Sequence, residues 1–140
     1  MNMCIYRLVL KRLIQLDAKR FAEEALKRDS RIRYVAIVDR QFNVLVSQMR
    51  EGIASLTSDD SDRKFVQLMP PILIDAVEKL WAPLLGTVES VTVRYEKVLL
   101  VFFSKANYVV VLSFNPDVSR PFMSALTDFI QSLASQYLTD

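Results

Sequence analysis

Two nearly uninterrupted apolar runs, KVLLVFFSKANYVVVLSF at residues 97–114, constrain the fold of this 140-residue chain more than any other feature. Their β-branched and aromatic residues favour strands, and the short SKAN segment between them favours a tight turn. A sheet with one face in water alternates apolar and polar residues, and neither run does. We therefore expect two central strands with helices covering both of their faces.

The rest of the chain supplies further strands and helices in a simple order. Two strands at 33–39 and 44–47 precede a helical pattern at 59–82, a third strand at 88–95 precedes the apolar runs, and a helix closes the chain. Short turns make neighbouring strands antiparallel. The predicted fold is α/β (α+β), a single antiparallel five-stranded sheet with the order α-β-β-α-β-β-β-α. Pro70 and Pro71 predict a kink or a restart within the central helix.

The amino-terminal segment differs from the rest of the chain in its charge and in the direction of its apolar side. Its apolar side chains lie on one side of a helix up to residue 16, but beyond Asp17 they lie nearly opposite. Either the helix breaks near Asp17, or its two halves face different surfaces. Residues 1–33 carry a net charge of +5 and the remainder −3. We predict a basic amphipathic extension at 1–16 followed by one domain at 17–140.

Composition argues against most enzymes. Histidine is absent and Cys4 is the lone cysteine, so a transition-metal centre or an intramolecular disulfide is not expected. The usual phosphate-binding glycine loops are missing. We predict no catalytic, cofactor or metal site, and we interpret Asp59, Asp60 and Asp62 as a helix start. Without a signal-like leader or an apolar run of about 18–20 residues, an intracellular, cytoplasmic location is the expectation.

Two stretches of the chain resemble a known group of domains. RYVAIVDRQFNVLVS is similar to the opening hairpin of roadblock (dynein light chain) and longin-like domains, within the profilin-like group, and VESVTVRYEKVLLVFFSKANYVVVLSF is similar to their three-stranded meander. The resemblance covers about residues 17–138 and extends to small archaeal proteins. One departure is the first turn, Arg-Gln-Phe-Asn, where such domains usually have glycine.

The resemblance implies a non-catalytic homodimer that acts as a scaffold or regulatory module, with small GTPases or a signalling complex as candidate partners. Roadblock-type domains pair through an edge strand and the long helix. The alternation of residues 88–95 independently indicates an edge strand, which needs protection or a partner. The matching interface positions are Val91, Val93, Tyr95, Met69, Leu73, Val77 and Trp81.

Other interpretations stay open at this point. Trp81, with Leu84 and Leu85, is interpreted first as core, then as a dimer contact or a pocket wall. Arg7, Lys11 and Arg12 could contact an anionic membrane surface, although packing of their helix on the domain or a second copy is favoured; no specific nucleic-acid partner is indicated. A PAS-like or GAF-like small-molecule sensor, and an enzyme using only Asp, Lys and Tyr, are the alternative functions.

Overall fold

The computed structural model describes residues 2–138 and contains the predicted order of elements. The helices are α1 (Met3–Arg28), α2 (Asp59–Leu85) and α3 (Arg120–Tyr137). The strands are β1 (Ile32–Asp39), β2 (Val44–Met49), β3 (Ser90–Arg94), β4 (Leu99–Lys105) and β5 (Tyr108–Phe114). They form one antiparallel sheet in the order β2-β1-β5-β4-β3. The predicted fold class is therefore confirmed.

The sheet explains the two apolar runs. β5 lies in the middle between β1 and β4, and every one of its residues is buried. β4 is buried over most of its length. Because helices cover both faces of these strands, successive side chains are apolar on both sides, as the absence of alternation predicts. β3 lies at one edge of the sheet, also as predicted.

The two faces of the sheet are covered differently. On one, here called the closed face, α1 and α3 pack together over β1, β4 and β5 around Phe21, Phe103 and Ile130. On the other, here called the open face, α2 alone packs against the sheet. The open-face core is smaller and centres on Phe102, whose ring lies 6.2 Å from that of Phe65. The sheet thus separates a larger core from a smaller one.

Helix α1 is continuous, so its two halves face different surfaces. The helix begins after Asn2, whose side chain accepts a hydrogen bond from the backbone N–H of Cys4 (2.9 Å). From Ala18 to Leu26 it presents the face that builds the closed-face core. The side chains of residues 2–13 are exposed, and no break occurs near Asp17.

Helix α2 is also unbroken, which contradicts the expected restart at Pro70 and Pro71. The helix passes through both residues, and both are buried. It begins at Ser58, whose hydroxyl accepts from the backbone N–H of Ser61 (3.1 Å). Asp59, Asp60 and Asp62 lie in its first turn, where the helix dipole favours negative charge.

The first hairpin turn, between β1 and β2, contains no glycine. Phe42 takes the left-handed conformation (φ 67°) that glycine usually provides. The Asp39 carboxylate accepts hydrogen bonds from the backbone N–H groups of Gln41 and Asn43, each at 2.9 Å, and from the Asn43 side chain at 3.0 Å. These bonds hold the turn in shape, which accounts for the departure from the glycine of related hairpins.

Candidate interaction surface

The open face leaves one side of the sheet incompletely covered. Helix α2 packs on β1, β2 and β5, whereas within residues 2–138 the helices barely touch β3. Val91, Val93 and Leu100 consequently remain half-buried at the margin of the open-face core. Tyr95, just after β3, is exposed. An apolar margin beside a free sheet edge can be extended by another polypeptide.

Helix α2 carries the largest group of exposed apolar side chains among residues 17–138. Of the predicted interface positions, Met69, Val77 and Trp81 are exposed, and Leu73 is half-buried against the open-face core. The interpretation of Trp81 as core is wrong, since 55% of it is exposed. Other apolar side chains of the same helix are exposed as well: Leu68, Ile72, Leu80, Leu84 and Leu85.

The hydrogen bonds of the β3–β4 hairpin show which backbone groups of β3 face the free edge. The backbone N–H of Tyr95 donates to the carbonyl of Val98 at 2.9 Å, so these two residues form the hydrogen-bonded pair that closes the β3–β4 hairpin. Bonded and non-bonded pairs alternate along an antiparallel ladder. Thr92, which lies opposite Val101, is therefore in a non-bonded pair. Its N–H and C=O point away from β4, towards the free edge.

Polar contacts fix α2 relative to the sheet. Arg40, in the β1–β2 turn, forms an ion pair with Asp75 of α2, and its guanidinium also donates to the Ser104 hydroxyl at 2.9 Å. Glu78, one turn further along α2, accepts from the backbone N–H of Val88 at 3.2 Å. These bonds tie the middle of the helix to two connecting segments, the β1–β2 turn and the segment before β3. The exposed apolar side chains of α2 thus lie on a fixed element.

A cleft of about 430 Å³ lies between the amino-terminal half of α2 and the sheet. Its walls include Phe65, Leu100 and Val111, and the segment containing Leu56 closes one side. At its base, Tyr34 is hydrogen-bonded to Ser47, and burial raises the pKa of the Tyr34 phenol above its ordinary value. A largely apolar wall with few polar groups suits an apolar ligand better than a charged one.

The other predicted positions lie elsewhere. Arg7, Lys11 and Arg12 are exposed on the amino-terminal half of α1, which belongs to the opposite side of the sheet from α2. Across residues 2–138, His, Cys, Asp and Glu side chains nowhere form a group of three that could hold a metal ion. None of the helices in that range combines the length and apolarity needed to cross a bilayer.

Comparison with known proteins identifies the fold. No protein-family model and no curated protein sequence matches the chain. Solved structures do match. The gliding protein MglB from Thermus thermophilus has a TM-score of 0.68 and 16% identity, over 89% of this chain and 90% of that one. A roadblock/LC7 domain from Streptomyces avermitilis has a TM-score of 0.63 and 11% identity, over 84% and 93%.

A third structure, described as MglB with a tetrameric arrangement, has a TM-score of 0.66 and 17% identity, over 89% of this chain and 93% of that one. At such identities the likeness concerns the fold. The chain has the roadblock/longin-like α+β fold, and its structural neighbours are roadblock/LC7 and MglB proteins.

Proposed function

We propose that this chain is a non-catalytic homodimeric module that serves as a scaffold or regulator in the cytoplasm. The observation that carries the proposal is the free edge of β3, on a sheet whose covering helix α2 also exposes apolar side chains. An enzyme needs a cleft in which reactive groups converge, whereas this surface is apolar and presents backbone hydrogen-bonding groups at its rim. We take residues 17–140 as the domain and residues 1–16 as its extension.

Pairing of β3 with the same strand of a second copy satisfies the outward groups by symmetry. Thr92 is the middle residue of β3, and its backbone N–H and C=O point towards the free edge. A two-fold axis at Thr92 therefore lets each copy donate this N–H to the Thr92 carbonyl of the other copy. In that register Val91 of each copy lies opposite Val93 of the other. Both valines border the open-face core, so the pair joins two apolar margins into one surface.

The exposed side of α2 can then close over the same axis. Trp81, Leu80 and Leu84 are large apolar side chains on an element that polar contacts hold in place. Burial of apolar area contributes roughly 25 cal/mol per Å², and aromatic anchors dominate such interfaces. The neighbouring MglB structure with a tetrameric arrangement is consistent with self-association in proteins of this fold. Small GTPases or a signalling complex are the partners we propose for the assembled dimer.

Two proline substitutions test the edge pairing. Thr92→Pro removes an outward donor, so it should halve the mass of the assembly measured by light scattering at about 100 μM while circular dichroism remains native. Val93→Pro is the matched control, because Val93 pairs with Leu100 in the alternate, inward-bonded class. It should lower the melting temperature instead. An unchanged mass for the folded Thr92→Pro protein would contradict the proposal.

The cleft favours a second function, that of a small-molecule sensor. Its volume of about 430 Å³ lies within the range of ligand pockets, about 300–1,000 Å³. Native mass spectrometry of the purified protein should then show a bound apolar molecule, which Leu100→Trp displaces by filling the cleft. A ligand-free spectrum together with a stable dimer would leave the module as the supported function.

A further inference from the structure

The amino-terminal half of α1 is an exposed apolar helix that the domain does not use. Tyr6, Val9, Leu13 and Leu16 are each between 44% and 53% exposed, although all four are apolar or aromatic. They lie on the side of α1 opposite Ala18 and Phe21, which face the closed-face core. The helix therefore presents one apolar stripe to the domain and, one turn earlier, another to its surroundings.

The outward stripe has the spacing of a coiled coil. Tyr6, Val9, Leu13 and Leu16 follow one another at three, four and three residues, which is the a-d-a-d pattern of two heptads. An ordinary surface helix has a wider apolar face that turns towards its own core. Here the stripe faces away from the core, and the exposed side chains of Ile5 and Leu10 widen it at the flanking g and e positions.

We propose that residues 3–16 of α1 pair with the same segment of a second copy in a parallel two-stranded coiled coil. The occupant of the stripe is thus this chain itself, at a surface distinct from the edge of β3. Because the stripe lies opposite the core-facing side, the two domains fall on the outside of the pair. The pairing does not depend on whether β3 also pairs.

Charge complementarity sets the orientation. With Tyr6 and Leu13 at a, Ile5 and Arg12 occupy g positions, while Leu10 and Asp17, the residue that follows the segment, occupy e positions. A parallel pair brings each g residue to the e residue five positions on in its partner, which places Ile5 beside Leu10 and Arg12 beside Asp17. The first contact is apolar, and the second joins opposite charges.

The antiparallel alternative is disfavoured by the same residues. It brings g positions together, so Arg12 would face Arg12 of the other copy at the two-fold axis. Like charges held together at a seam oppose association. Pairing Leu13 with Val9 keeps an apolar seam, but with no opposite charges to fix the register. The charge pattern therefore selects the parallel arrangement.

The continuity of α1 makes so short a coiled coil feasible. An isolated helix of fewer than about 12–15 residues is marginal in water. In this chain residues 18–26 are already fixed as helix against the closed-face core, so residues 3–16 extend an existing helix rather than nucleate one. A membrane surface suits the stripe less well, because Glu23 and Glu24 continue on the same side of α1 and would face anionic lipid.

Two isologous surfaces on one chain have a consequence for assembly. If β3 pairs as well, each copy contacts two others, and the product is a closed tetramer or an open chain, depending on the angle between the axes. If only α1 pairs, the product is a dimer. The mass of the assembly therefore reports on both surfaces, and a site-specific cross-link is needed to identify each.

A disulfide test identifies the α1 pair. In Cys4→Ser protein, Leu13→Cys places a thiol at an a position, where it meets its own counterpart only in the parallel arrangement. Mild oxidation should convert most of this variant to a covalent dimer, also when Thr92→Pro is present. The control is Lys11→Cys in the same background, since Lys11 is at the outward f position. Equal cross-linking of both variants would show random collision and overturn the proposal.

A sedimentation test measures the strength of the pair. Leu13→Lys should weaken this association by about tenfold or more, whereas Lys11→Glu, outside the seam, should leave it within about twofold. Disulfide formation between Val9→Cys and Leu13→Cys chains but not between two Leu13→Cys chains would establish the antiparallel pair and overturn the proposal. So would wild-type co-sedimentation with phosphatidylserine vesicles combined with no effect of Leu13→Lys on mass. A Leu13→Cys cross-link with no effect of Thr92→Pro on mass would support the α1 pair and defeat only the β3 pairing.

Discussion

The two faces of the sheet belong to the same five strands, but helices cover them to different extents. On the closed face, α1 and α3 pack on each other and on the sheet, and large side chains such as Phe21 and Phe103 are at most 1% exposed. On the open face, one helix packs on three of the five strands, and Trp81 and Leu84 of that helix are exposed. The closed face therefore contains the larger core, and the helix of the open face leaves apolar area in solvent.

The difference predicts that the stability of the fold and the proposed association depend on different residues. A core already closed by two helices gains little from further contacts, so mutations there should change unfolding. Apolar residues outside a closed core contribute little to the monomer, so mutations there should change binding. Arg40 belongs neither to the buried core nor to the exposed apolar residues. Its contacts with Asp75 and Ser104 position α2, which carries the exposed apolar side chains.

The largest expected effect is on the closed face. Phe103→Ala removes a buried ring from the larger core and should lower the free energy of unfolding by about 3–5 kcal/mol. Chemical denaturation measures this at two protein concentrations, because self-association also stabilises the fold. Phe129→Ala on the exposed side of α3 is the matched control and should cost much less. Similar losses for the two variants would show that the closed face is not the stabilising core.

A smaller effect of a different kind is expected on the open face. Trp81→Ala should leave the unfolding of the dilute monomer within about 1 kcal/mol of wild type, because the ring is exposed. It should weaken dimerisation by about 1–3 kcal/mol, as truncation of an aromatic anchor does. Analytical ultracentrifugation over a dilution series measures the dimerisation. A destabilised monomer with unchanged dimerisation would reverse the assignment of the two faces.

The smallest effect is at the polar rim of the closed face. The Arg31 side chain donates two hydrogen bonds to Asp29, at 3.0 and 3.1 Å, and these bonds lower the pKa of the Asp29 carboxyl. Because the folded pKa is below the unfolded value of about 3.9, the ionised carboxylate stabilises the fold above that value, and its contribution is lost as the pH falls through the folded pKa.

Asp29→Asn should accordingly melt slightly below wild type at pH 7. The gap between the two proteins should close as the pH is lowered from about 5 towards 2, because protonated Asp29 no longer differs in charge from asparagine. Thermal melts across that range measure the gap. A gap of constant size at every pH would show that Asp29 acts through its shape and not through its charge.

The sequence was informative wherever burial was unambiguous. The two runs in β4 and β5 predicted central strands, and the alternation of Ser90, Thr92 and Arg94 with apolar residues predicted an edge strand; both predictions are confirmed. These patterns determined the sheet and half of the proposed interface. Side-chain period alone is sufficient there, because in a strand each residue has only two directions to face.

The sequence was least informative about α2. The helix is apolar on nearly every side, so its pattern did not show whether Pro71 or Trp81 faces the sheet, and Trp81 was first interpreted as core. The structure buries the prolines and exposes the tryptophan. The lack of a clear polar side nevertheless indicated that α2 has apolar residues on more than the face that meets the sheet. A helix that is apolar all round usually buries more than one face. Leu84 and Leu85 were likewise first interpreted as core, and the structure exposes both.

Amide hydrogen exchange at the edge of the sheet tests the pairing of β3 most directly. The N–H groups of Thr92 and Arg94 point away from β4, and that of Val93 points towards it. At about 100 μM we expect slow exchange at all three, with Thr92 and Arg94 alone becoming fast on dilution into the monomer range. Fast exchange at Thr92 and Arg94 at every concentration, with Val93 still protected, would show a free edge and contradict the dimer.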